Sequence, residues 1–142
     1  MMPRRSLLAL LMLGAVAACD DPGATAGASG ATTGNNLAGT SWRILSIAGV
    51  KVEDVNATRM AFDANTVSGS FGCNSFSGSY SIEGGLLRVG APTTTEMACP
   101  GDGDRQERSG LRQLGLPMQV VPNGPNQMVL SGREGQSFIL ER

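Results

Sequence analysis

From Leu37 onward the residue types alternate, and this alternation limits what the chain can fold into more than any other feature. Met60 and Phe62 alternate with Arg59, Ala61 and Asp63. Val67, Gly69 and Phe71 repeat the pattern, and Phe76, Gly78, Tyr80 and Ile82 extend it. A period of two puts successive side chains on opposite faces of a strand, so each segment has one face to bury against a sheet or core. A first strand is expected around residues 40–48, carrying Trp42, Ile44 and Ile47. Gly84-Gly85 is a two-residue hairpin signal, after which Leu87 and Val89 lie on the return strand. Met118, Val120 and Val121 precede a turn at Asn123–Gln127, and Met128 to Leu130 and Phe138 to Leu140 complete the set. The expectation is a mainly β (α+β) domain of about eight strands, whose short connections favour antiparallel neighbours.

One short helix is expected to pack on that sheet. Asp104-Arg105-Gln106-Glu107 has the form of a capping box, with Asp in the place of Ser or Thr. Leu111 and Leu114 fall on one face, and Gly115 and Pro117 are stop signals. Gly110 weakens the interior by about 1 kcal/mol against Ala, so the helix depends on docking.

The N-terminus has a different texture. Arg4 and Arg5 precede an apolar run from Leu7 to Val16 and then small residues, which is a secretory signal peptide. The run is shorter than the roughly 20 residues a permanent span needs. Val16-Ala17-Ala18-Cys19 resembles a bacterial lipobox, in which the cysteine thiol is lipidated and the chain is cut before it. The expectation is a signal peptide over residues 1–18, a lipid anchor on Cys19, a tether to residue 36 and one domain over 37–142. The tether lacks large apolar residues and cannot offset its own ordering entropy. The expected location is the bacterial cell envelope, lipid-anchored on the periplasmic side, with the choice of inner or outer membrane left open.

Cys73 and Cys99 then remain as an even pair in an exported, oxidising setting. They read first as a disulfide. Two free thiols, or a redox or metal pair, are the alternatives. A zinc set is poorly supplied, because the chain has no His and two thiolates fall short of four ligands. Absence of His also excludes Ser-His-Asp and Cys-His devices. Asp63, Glu83, Glu96, Asp102, Asp104 and Glu107 are the candidate carboxylates for acid–base work, most of them at expected loops. Asp102, Asp104 and Glu107 also suggest calcium, but they lack full EF-hand spacing, and helix capping explains Asp104 and Glu107 more simply. No cofactor or metal is expected. Removing Arg4 and Arg5 leaves 9 basic against 12 acidic residues, so no basic cluster is left for nucleic acid.

The stretch from Ser68 to Tyr80 reads as strand, turn, strand. Gly72 permits positive φ or close approach there, and the Asn74 side chain is expected to close the turn by bonding backbone two residues on. At these residues the chain resembles a family. Leu37-Ala38-Gly39-Thr40-Ser41-Trp42, then Gly69 through Tyr80, then Thr94-Thr95-Glu96-Met97-Ala98-Cys99-Pro100, are similar to the META domain of HslJ-like lipoproteins. The chain departs from the family pattern at Ser109-Gly110, where a bulky apolar residue is usual, so a shorter or looser helix is expected. The resemblance implies a small antiparallel half-barrel with a helix across it, similar to the cracked barrel of type III secretion pilotins. It implies a link to heat shock, envelope stress and novobiocin resistance, and no agreed catalytic residue. Trp42, Gly72, Asn74 and Tyr80 are expected to be structural, and the protein is expected to be a monomeric, non-enzymatic envelope lipoprotein that binds an envelope protein partner. A carrier of small apolar ligands in a cracked barrel is the first alternative, and a carboxylate-based enzyme the second.

Overall fold

The computed structural model describes residues 36–142. The expected signal peptide, Cys19 and all but the last residue of the tether lie outside the described residues. Ten strands and one helix follow in chain order: β1 (Thr40–Ile47), β2 (Val50–Lys51), β3 (Thr58–Phe62), β4 (Thr66–Phe71), β5 (Ser75–Glu83), β6 (Leu86–Val89), β7 (Thr93–Thr94), α1 (Gly103–Leu114), β8 (Met118–Pro122), β9 (Gln127–Gly132) and β10 (Gly135–Glu141). The eight expected strands correspond to β1, β3, β4, β5, β6, β8, β9 and β10. The other two, β2 and β7, are two-residue ladders on the edges of β1 and β5, too short to carry a periodicity.

The half-barrel expectation is corrected: the barrel is closed. The antiparallel order runs β1-β3-β4-β5-β6-β8-β9-β10, and β10 returns to β1 through Arg43↔Glu141, Ile44↔Leu140 and Ile47↔Phe138. Closure pairs backbone groups that an open edge would leave bare. Two residues far apart in sequence, Arg43 and Glu141, reinforce the seam with an ion pair at 3.2 Å on the outer surface.

Inward positions of the staves fill the interior. Trp42, Ile44, Met60, Phe62, Val67, Leu87, Met118, Leu130 and Leu140 are each at most 3% exposed. An eight-stranded barrel is just wide enough for side chains to fill it. Phe71 stacks between Phe76 and Phe138, with centroids at 4.5 and 5.8 Å and the rings within 15° of parallel. The thinnest seam is β6–β8, with the pairs Leu86↔Gln119 and Leu87↔Met118. The Gly84-Gly85 turn ends it on one side, and Pro117, which has no N–H to give, ends it on the other.

α1 lies against β1, β4 and β10. Its expected capping box is not formed. The N-cap position is Asp102, without a side-chain cap bond, and Asp104 sits inside the first turn. Asp102 pairs instead with Arg105 at 3.2 Å, and Asp104 pairs with Arg108. The helix runs 12 residues and continues through Ser109-Gly110. Gly110 is buried on the Phe71 ring, where a Cβ would lie 2.6 Å from ring carbons. A larger side chain has no room there. The missing volume lets the helix backbone lie directly on Phe71, the last residue of β4. Leu114 is fully buried one turn further on.

Candidate functional site

The corner between β4 and β5 is where separate segments converge. β4 ends at Phe71, and Gly72 turns the chain with φ +126°, a conformation that side chains rarely adopt. A Cβ on Gly72 would also stand 3.0 Å from Gln106 Nε2. The Gln106 amide donates to the Phe71 carbonyl and ties α1 to the end of β4.

Asn74 is buried at the centre of this corner. Its Nδ2 donates to both Glu107 carboxylate oxygens at 3.0 Å and to the Met97 carbonyl at 3.1 Å. Its backbone N–H donates to Glu107 Oε2 at 3.2 Å. Its Oδ1 accepts from the Met97 N–H at 2.8 Å and from Thr95 Oγ1 at 2.9 Å. The expected local turn bond is therefore corrected. The amide reaches α1 and the segment after β7, because a buried side chain with donors and an acceptor must find partners wherever the fold supplies them. Glu107 does not cap the helix; it answers Asn74. No local pattern signals that role, since Asn74 and Glu107 lie 33 positions apart. Thr95 was also missed, though its place in the Thr94–Pro100 stretch was noted.

Cys73 and Cys99 are joined, with Cα atoms 5.8 Å apart and a sequence separation of 26. Cys99 Sγ lies 3.4 Å from Asn74 Nδ2 and 3.5 Å from Glu107 Oε2. Cys73, Cys99 and Glu107 bring ligand-type atoms within 4.8 Å of one another. With both sulfurs in the disulfide, no thiolate is left to hold a metal ion. Asp102, Asp104 and Glu107 each have a separate partner, so the fold does not gather them as a calcium cluster. Asp63, Glu83, Glu96, Asp102 and Asp104 are exposed, and Glu107 is partly buried.

The other two motif residues also have internal tasks. Trp42 is buried, its indole N–H donates to Thr40 Oγ1 at 2.8 Å, and the Arg142 guanidinium lies 4.4 Å from its ring centre. Tyr80 meets Phe62 edge to face at 5.2 Å, and its hydroxyl donates to the Asp63 carbonyl at 2.8 Å. Partial burial first, and the charge of Asp63 second, raise the Tyr80 phenol above its ordinary pKa.

Surface hollows among the described residues lie elsewhere as well. One of about 660 Å³ crosses β6, β8 and the β9–β10 turn, with Leu86, Arg88, Leu116, Gln119 and Arg133 in its walls. One of about 220 Å³ lies between the β1–β2 hairpin and α1, with Val50, Lys51, Asp102 and Arg105 around it. The exposed large apolar residues Val50, Met97, Leu116 and Val121 stand on four different segments.

A filled, closed antiparallel barrel with a helix tied to its β4–β5 corner by a disulfide and one buried amide defines the class of domain. The chain belongs to the META domain family, whose model matches residues 35–142. An NMR structure of a protein from Burkholderia xenovorans is similar at 25% identity, with a TM-score of 0.62 over 92% of this chain and 96% of that one. A second NMR structure shows the same fold at 24% identity, with a TM-score of 0.59 over 71% of this chain and 86% of that one. No curated protein matches the chain.

Proposed function

We propose that this META-domain protein is a non-enzymatic, monomeric cell-envelope lipoprotein, anchored through Cys19 on the periplasmic side, that binds or helps assemble an envelope protein partner under heat, envelope stress or novobiocin. The observation that carries the reading is the filled interior. Inward side chains from all eight staves occupy the space in which a lipocalin-like barrel would hold a ligand. Work done by this domain then falls to its outer surface, which favours partner binding over the interior-carrier alternative. The Cys73–Cys99 bond supports an oxidising compartment, in keeping with the leader and lipobox. The family resemblance supports the stress association.

Two experiments test this reading. Membrane fractionation with labelled fatty acid is expected to find wild-type protein acylated and membrane-bound, and Cys19→Ala unacylated. A wild-type protein that is soluble with a free Cys19 overturns the anchor. Each of Asp63, Glu83, Glu96, Asp102, Asp104 and Glu107 is then replaced in turn, and survival is scored under heat and novobiocin. Loss of the phenotype from one replacement, in protein that stays folded, anchored and abundant, overturns the non-enzymatic reading.

A further inference from the structure

The larger surface hollow has a composition that its place in the barrel explains. Leu87, Met118 and Leu130 point inward and are fully buried, so their neighbours Leu86, Gln119 and Ser131 point outward. These three form one row across β6, β8 and β9, through the pairs Leu86↔Gln119 and Gln119↔Ser131. β6 and β9 both run antiparallel to β8 and therefore parallel to each other. Two positions beyond Leu86 stands Arg88, on β6; two beyond Ser131 stands Arg133, just past the end of β9; and Pro117 lies between them, just before β8. Continuing the row past the paired residues thus brings Arg88 on β6 and Arg133 in the β9–β10 turn to the same hollow, with Pro117 between them.

Neither arginine forms an ion pair or side-chain hydrogen bond among the described residues, whereas Arg43, Arg105 and Arg108 each pair with a carboxylate. The nearest carboxylate on β5, Glu83, sits opposite Leu86 and takes the Ser81 hydroxyl at 3.3 Å. Glu134, beside Arg133 in the β9–β10 turn, is the one acidic residue in the hollow's wall, against two basic ones. Leu86, Leu116 and Pro117 supply apolar surface directly next to them. At about 660 Å³ the hollow falls in the size range of small-molecule sites. Two unpaired guanidiniums over an apolar floor suit one oxyanion with a hydrocarbon attached, because guanidinium forks bind phosphate bidentately.

We infer that this outer face of β6, β8 and the β9–β10 turn binds an anionic amphiphile, a phosphate head held between Arg88 and Arg133 with its alkyl part on Leu86, Leu116 and Pro117. The head is supplied by a free alkyl phosphate or by a membrane lipid. The site is independent of the protein-partner reading above and lies away from the Asn74 corner.

The test uses the full chain in phosphatidylcholine nanodiscs, followed by amide NMR during titration with hexyl phosphate, inorganic phosphate and hexanol. Hexyl phosphate is expected to shift the amides of Leu86, Arg88, Gln119 and Ser131 saturably. Inorganic phosphate is expected to shift the same amides about tenfold more weakly, and hexanol not to shift them. The Arg88→Ala/Arg133→Ala double variant, at exposed positions, is expected to keep its spectrum and lose hexyl phosphate affinity by at least about tenfold. Glu134→Gln is expected to tighten binding. Nanodiscs containing phosphatidylglycerol distinguish the source: the same amides shift without added ligand if a lipid head is the occupant, and stay in place if a free amphiphile is. Absence of saturable shifts at this row, or unchanged binding by the double variant, overturns the site. Equal affinity for hexyl and inorganic phosphate overturns its apolar half.

Discussion

The Asn74 side-chain amide donates to both carboxylate oxygens of Glu107, each at 3.0 Å, across 33 positions of sequence. This pair joins the β4–β5 corner to α1, and Asn74 also holds the segment at Thr95 and Met97. Removing one partner leaves buried donors unanswered, which costs more than the bond itself contributes. Glu107→Ala is therefore expected to lower stability by about 2 kcal/mol, and Asp102→Ala by less than about 1 kcal/mol, since the exposed Asp102–Arg105 pair is weak. Urea unfolding followed through Trp42, the chain's one tryptophan, measures both. Equal losses would show that the Asn74–Glu107 contact carries no special weight.

The disulfide closes a loop over the same corner. In the chain-entropy model a span of 26 positions corresponds to about 3 to 4 kcal/mol. Reduction is expected to lower the thermal midpoint accordingly, and Cys73→Ser/Cys99→Ser to reproduce the loss without reductant. Native, unreduced protein is expected to resist thiol labelling at both positions, and modification of both would contradict the bond.

Gly110 tests the docking of the helix. In an isolated helix Gly→Ala stabilises by about 1 kcal/mol. Here the added Cβ meets the Phe71 ring at 2.6 Å, with Phe76 and Phe138 stacked on either side of that ring. Overpacking of this kind costs about 1 to 3 kcal/mol. Gly110→Ala is expected to destabilise the domain, measured as a lower denaturant midpoint at unchanged slope. A stabilised variant would mean that the helix is free to move off Phe71.

Tyr80 gives the alkaline limb of stability. Its phenol is raised in the folded state by burial and then by Asp63, so the folded protein holds this proton more tightly than the unfolded chain does. The contribution is complete below the unfolded tyrosine pKa near 10 and is lost as pH climbs through the folded value. Phenolate absorbance is unambiguous, because the chain has one tyrosine. The expected midpoint lies above 10, and Tyr80→Phe is expected to flatten the loss of stability in alkali. A midpoint at or below that of free tyrosine would contradict the partly buried placement of the ring.

Much of the barrel was legible in the sequence. The period-two pattern in Met60–Phe62, Val67–Phe71 and Phe76–Ile82 is local, because each strand needs one apolar face whatever its partners. All eight staves could be read from that rule. Pattern does not say how far a sheet curls. Closure depended on β1 meeting β10, nearly the full length of the domain away, and the eight segments read equally well as an open half-barrel. The two-residue strands β2 and β7 carry too few residues for any periodicity to show.

At the corner, Gly72 was legible because its demand is on its own backbone, and Cys73 and Cys99 because two cysteines remain once the leader is set aside. Asn74 and Glu107 were misassigned to local turn and capping tasks, since sequence shows only near neighbours as hydrogen-bond partners. Gly110 was read as a weak point, and the fold makes it the place where helix and barrel touch. The sequence by itself determined which residues face inward and where the chain turns, because those choices rest on short-range periodicity and backbone sterics. Only the tertiary structure decided closure, the task of each buried polar group and the meeting of Arg88 and Arg133 at one surface hollow, because these depend on register between strands that meet only when the barrel shuts.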